Sequence, residues 1–224
     1  MRQFVAIVSF LGLAGLARAG QAPSAVPTDA QGQPIQQEEK NEWGVNFVLE
    51  AYPGSVLFST DIDGFETVKG NRTEKIEGFG SYIPSLNVGA ALETPLLYVD
   101  TTVGGGGVAN AAIISPLADA QLAVRFKLGK LFTIGPHIRG MYLWAPIWLK
   151  DNDPDFSSTW GAMGGVGFTV GIKPISLSIG LDYMGASFDA KPKDGAVPNR
   201  RELDISGVVI QVGIICRFGG PSNR

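Results

Sequence analysis

The chain has 224 residues, with 18 Lys and Arg against 21 Asp and Glu, a formal net charge of −3. A nucleic-acid partner calls for a clustered basic surface, and this mildly acidic balance excludes that class. Cys216 is the single cysteine, so no intrachain disulfide braces the fold.

Residues 1–19 read as a secretory signal peptide. Arg2 supplies the positive start, and Phe4 to Leu16 is apolar but shorter than the about twenty residues that a spanning helix wants. Ala17-Arg18-Ala19 then offers the small-x-small pattern of signal peptidase, which places cleavage before Gly20. Cleavage there leaves 16 basic groups against 21 acidic ones, a net charge of −5. Residues 20–42 hold Gln, Pro, Ala and acids with almost no large apolar side chain, the composition of a flexible leader.

From Trp43 onward the apolar period is two, the signature of strands. Gly44–Tyr52 sets Val45, Phe47 and Leu49 against Asn46 and Glu50. Ser85–Glu93 alternates Leu86, Val88, Ala90 and Leu92 with Ser85, Asn87, Gly89 and Glu93. Residues 96–104 set Leu97, Val99 and Val103 against Tyr98, Asp100 and Thr102, and residues 118–128 set Leu122, Val124 and Phe126 against Gln121, Arg125 and Lys127. Residues 131–145 oppose Phe132, Ile134, Ile138, Tyr142 and Trp144 to Thr133, His137 and Arg139. Residues 160–173 oppose Val166, Phe168, Val170 and Ile172 to Gly165, Gly167, Thr169 and Lys173. The two clearest segments come last. Ile175, Leu177, Ile179, Leu181 and Tyr183 share one face against Ser176, Ser178, Gly180 and Asp182; Val208, Ile210, Val212, Ile214, Cys216 and Phe218 share one face against Gln211, Gly213 and Arg217.

Eight strands of about nine to fifteen residues are long enough to cross a bilayer when tilted. Short links at Thr94-Pro95, Gly129-Lys130 and Pro174 alternate with long ones over 53–84, 105–117, 146–159 and 187–202, where Gly104–Gly107 reads as a flexible strand exit. The expectation is an all-β protein, an eight-stranded antiparallel up-and-down transmembrane β-barrel over residues 43–218, with 219–224 as a short tail. The competing arrangement is a soluble barrel of lipocalin type. Against it, the polar face is mostly Gly, Ser, Thr and Asn with ions of both signs, which suits a narrow interior filled by side chains. Aromatics also gather at the strand ends: Trp43, Phe126, Phe132 and Phe218 toward the short turns, Tyr142, Trp144, Trp160 and Tyr183 toward the long loops.

In layout and in its closing strand the chain resembles the small outer-membrane β-barrel proteins, the group of the outer-membrane protein A transmembrane domain and the opacity-type proteins. The closing strand looks like the terminal signal read by the barrel-assembly machinery, carried here by Val212, Ile214, Cys216 and Phe218. The resemblance implies residence in the bacterial outer membrane, with outer-membrane lipid, lipopolysaccharide and the assembly machinery as partners, and long loops outside the cell presented to a partner the sequence does not name.

Parity directs Glu50, Asp100, Arg125, His137, Arg139, Asp182 and Arg217 into the barrel as an ion network, with Arg139 expected to pair with Glu50 or Asp182. A buried charge left without a partner costs several kcal/mol, so mixed signs in a confined space point to mutual pairing. The single histidine, His137, falls inside, where a general base has no reachable substrate. No enzyme and no cofactor is expected. Asp151 to Asp155 and Asp61 to Glu66 space carboxylates as calcium ligands are spaced but lack the full loop pattern, and read as solvated loop acids. The functional expectation is a structural or surface-interaction protein with a plugged lumen. A narrow ion or small-solute channel is the alternative, and a lipid-modifying enzyme the third reading.

Overall fold

The computed structural model describes residues 43–59, 61–78 and 80–219; the expected signal peptide, the leader and the tail beyond Gly219 lie outside them. Among the described residues the regular elements are all strands. Eight of them make the barrel: β1 (Gly44–Tyr52), β2 (Ser85–Glu93), β3 (Leu97–Ala109), β4 (Ile113–Leu128), β5 (Phe132–Leu143), β6 (Thr159–Ile172), β7 (Ile175–Gly185) and β8 (Gly207–Gly219). Each pairs antiparallel with its neighbours in sequence, and β8 returns to β1 from Asn46↔Gly219 to Ala51↔Ile214. Closure leaves the barrel no free edge.

Side chains follow the alternation strand by strand, with the apolar face outward. Ile175, Leu177, Ile179, Leu181 and Tyr183 are 53–62 % exposed, while Ser178 and Asp182 between them are buried. The polar and charged residues fill the interior, the reverse of a soluble barrel. Aromatic rings sit at both ends of this apolar wall. Phe47 stacks on Phe218 across the closing seam at 6.4 Å, and Phe132 on Phe168 at 5.7 Å; at the other end Tyr142 meets Trp144 at 5.2 Å and Trp160 at 5.0 Å.

The links depart from strict alternation in one place. The expected long loop over 105–117 is a three-residue turn, because β3 runs on to Ala109 and β4 begins at Ile113. Asn110 closes it by accepting from the amides of Ala112 and Ile113 at 2.8 and 3.0 Å, a local side-chain turn. Gly104–Gly107 is therefore strand interior and not a flexible exit. Glycine is required there because neighbouring backbone comes very close: a Cβ on Gly106 would sit 1.9 Å from the Pro84 carbonyl oxygen.

The other three links at this end fold into a cap. After Pro53 and Gly54 interrupt β1, residues Val56–Phe58 rejoin the wall beside β8, and Gly80–Tyr82 bring the chain back beside them before Pro84. Proline has no N–H to give a ladder, so both breaks fall at prolines. Further out, Glu66–Lys69 pairs with Arg72–Lys75 and with Val197–Pro198, while Ser187–Lys191 pairs with Asp155–Phe156 and with Glu202–Asp204. Phe65, Trp148 and Phe156 pack ring against ring at 5.9–6.0 Å, and Ile62, Phe188 and Leu203 join them in one apolar core. That core continues into the barrel mouth through Leu57, Met141, Met163 and Met184.

Candidate functional site

Below the cap, the seven residues of the expected ion network are each at most 5 % exposed, whereas Lys127 and Lys173, at the short-turn end of the same face, are partly exposed. Arg125, projecting from β4, is the centre of the arrangement. Its Nε donates to Asp100 on β3 at 2.7 Å and its Nη2 to Glu50 on β1 at 3.1 Å. Asp100 also takes Arg217 from β8 at 2.5 Å, so four of the expected residues form one chain of ion pairs: Glu50, Arg125, Asp100 and Arg217. The guanidinium of Arg217 lies over the Tyr98 ring, 4.4 Å from its centroid. Toward the short turns Glu93 is held between Lys127, at 2.7 Å, and Lys173, with Asn46 donating to it at 3.1 Å.

Arg139 does not pair with Glu50 or Asp182. Its carboxylate neighbour is Asp119 on β4, 3.8 Å away, and its close contacts are Gln121 Oε1, at 2.8 and 3.1 Å, and Ser85 Oγ at 3.2 Å. The stagger of the barrel explains the difference. Gln121 stands directly opposite Arg139 in the β4–β5 register, whereas Glu50 lies across the lumen and is already engaged by Arg125. Asp119, which also accepts from Asn87, and Gln121 are the functional side chains that the ion-by-ion reading missed. The signal for both was present, since they share the inward parity of Arg125.

His137 and Asp182 stand apart from this chain. His137 Nε2 lies 2.7 Å from Asp182 Oδ1, and register explains the meeting: Gly165 on β6 stands between them, opposite both, with no side chain to keep them apart. Glu50, Glu93, Asp100 and Asp119 each have Lys or Arg within 4.0 Å, whereas Asp182 has only the imidazole among the described residues.

Of the expected assembly-signal residues, Val212, Ile214 and Phe218 are exposed on the outer wall and Cys216 is half-buried there. In the cap, three of the expected loop acids meet a basic side chain or a backbone amide, with Asp63 accepting from the Gly78 amide at 3.3 Å. Asp153 takes Lys193 at 2.6 Å, and this hydrogen bond holds the Lys193 ammonium above its usual range. Asp151 lies 3.9 Å from Arg72. Among the described residues, no cluster of three or more His, Cys, Asp or Glu is arranged to hold a metal ion.

No protein-family model matches the chain, and no curated protein matches it. Among solved structures it is similar to Ail, the attachment invasion locus protein of Yersinia pestis, at 10% identity and a TM-score of 0.32, over 79% of this chain and 99% of that one.

Proposed function

We propose that the chain is a bacterial outer-membrane protein, a non-enzymatic anchor with a plugged lumen that presents a folded cap for contact at the cell surface. The observation that supports this reading best is the inversion of the barrel. Large apolar side chains face outward between two aromatic bands, while the ions face inward and are buried. A bilayer rewards that arrangement and water does not, since aromatic girdles belong at the two interfaces and apolar residues between them. Residues 1–19 act as the export signal, Val212, Ile214, Cys216 and Phe218 as the assembly signal, and outer-membrane lipid and lipopolysaccharide surround the wall.

The plug rests on the pairing of charges across the interior. Eight strands leave a space that side chains can fill, and Arg125, Arg139 and Arg217 each reach a carboxylate within it. A narrow channel is the second reading, favoured by the line of charge from Lys173 to Asp119, which an ion path also requires. Cell fractionation with electrophoresis of unheated and boiled samples tests the location: the protein runs with outer membranes and shifts its mobility on boiling. Recovery as a soluble periplasmic protein overturns the membrane reading. Planar-bilayer recording then separates the two functions, because a plugged anchor carries no steady current.

A further inference from the structure

The outermost turn of the cap, Lys193 to Ala196, is closed by reciprocal backbone bonds, Lys193 N to Ala196 O at 3.0 Å and Ala196 N to Lys193 O at 2.8 Å. Both central residues are left-handed, with φ of 50° at Asp194 and 84° at Gly195. Asp194 is the only non-glycine with positive φ among the described residues, a conformation that crowds the Cβ of an L residue. Both residues are exposed. The closing bonds use the amides of Lys193 and Ala196, which leaves the Gly195 N–H and the Asp194 carboxyl without a hydrogen bond in the turn.

We propose that Asp194-Gly195 is a self-modification site at which the aspartate converts to isoaspartate. With the Asp194 carboxyl in its acid form, the Gly195 nitrogen gives up its proton and bonds to Cγ, and the carboxyl OH leaves with that proton as water, closing a five-membered succinimide. Water then adds to one of the two ring carbonyls. Breaking the new Cγ–N bond restores aspartate; breaking the original backbone C–N bond leaves the chain running through Cβ and Cγ. One water leaves and one returns, so no oxidant, cofactor or enzyme takes part. The product carries an extra backbone methylene and no longer needs the left-handed aspartate.

The chain supplies its own control. Its second Asp-Gly pair is Asp63-Gly64, also in the cap. There both reacting groups are occupied: the Gly64 amide donates to Ile76 O at 3.2 Å, and Asp63 Oδ1 accepts from the Gly78 amide at 3.3 Å. Folding thus holds one pair fixed and leaves the other free to react.

The test incubates the folded, full-length protein in warm, mildly acidic buffer made with heavy-oxygen water, followed by peptide mapping. Residue 194 should take up heavy oxygen and form isoaspartate several-fold faster than residue 63. In denaturant the two positions should react at similar rates. Asp194→Glu should lose the label from its peptide, because a six-membered ring closes far more slowly, and Asp194→Asn should react faster and release ammonia. Equal rates at 194 and 63 in the folded protein would overturn the proposal, as would a preference for 194 that survives denaturation.

Discussion

Arg139 and Glu50 do not touch, yet both hold the amide of Gln121, which donates Nε2 to Glu50 at 2.9 Å and receives Arg139 on Oε1. One neutral side chain therefore joins the upper and middle parts of the charged interior. Gln121→Leu keeps the volume and removes both contacts, leaving a guanidinium and a carboxylate each short of a partner. Leaving a buried polar group unsatisfied costs about 1–3 kcal/mol, and more when it is charged, so a loss of about 2–4 kcal/mol is expected. Urea unfolding of the protein in lipid vesicles measures it; a change below about 0.5 kcal/mol, the size of an ordinary surface substitution, would show that the bridge carries no stability.

Phe65 holds the cap together, packed on both Trp148 and Phe156. Phe65→Ala should cost the cap about 3–5 kcal/mol, as truncating a buried aromatic does. Because the barrel strands pair independently of this ring, proteases should then cut within residues 61–78 while the boiling shift of the barrel persists. Loss of that shift would show that cap and barrel fold as one unit.

Two glycines in the wall should answer differently to one added methyl group. Gly106→Ala drives its Cβ against the Pro84 carbonyl, whereas a Cβ on Gly140 meets nothing within 4 Å. Gly106→Ala should lower the yield of folded barrel in the gel-shift assay. Gly140→Ala should stay within about 0.5 kcal/mol of the parent, as a substitution away from packed contacts does.

The outward face carries a prediction that rests on the membrane reading. Ile179→Arg should cost about 2–4 kcal/mol if that residue lies near the bilayer midplane. Val197→Arg, on the cap, should fold as the parent does. Spin labels at 177 and 179 should be quenched by lipid-soluble reagents and a label at 178 protected; the opposite pattern would turn the barrel inside out.

The barrel was legible because its code is local. Each strand states its two faces in consecutive residues, and Ile175 to Tyr183 or Val208 to Phe218 need no knowledge of their neighbours. Partner choice inside the barrel was not legible, because it depends on stagger between strands. Arg139 meets Gln121 and Asp119, and His137 meets Asp182 over a glycine, through registers that no single strand encodes. The cap was not legible. Its segments lay within the expected long links, where the one local cue, Lys69-Gly70-Asn71-Arg72 between two short alternating runs, went unread. Phe65, Trp148 and Phe156 come from distant loops and become a core only after the barrel has brought those loops to one end. The run Gly104–Gly107 misled for a related reason: flexibility is what glycine offers in isolation, and close approach of β2 is what it serves here.

Because the cap shares its core with the barrel mouth, its segments are not interchangeable as surface loops often are. Room for foreign sequence is confined to the hairpin tips. Gly70 and Asn71 are exposed, and a Cβ on Gly70 meets nothing within 4 Å, so a peptide spliced between them extends into solvent without disturbing Phe65 or Trp148. The stretch from Ile147 to Phe156 offers no such opening, since both its short strands feed the core. An engineer wishing to display an epitope on this scaffold has two narrow ports, at 70–71 and 194–195, and only the first is free of the reactive aspartate.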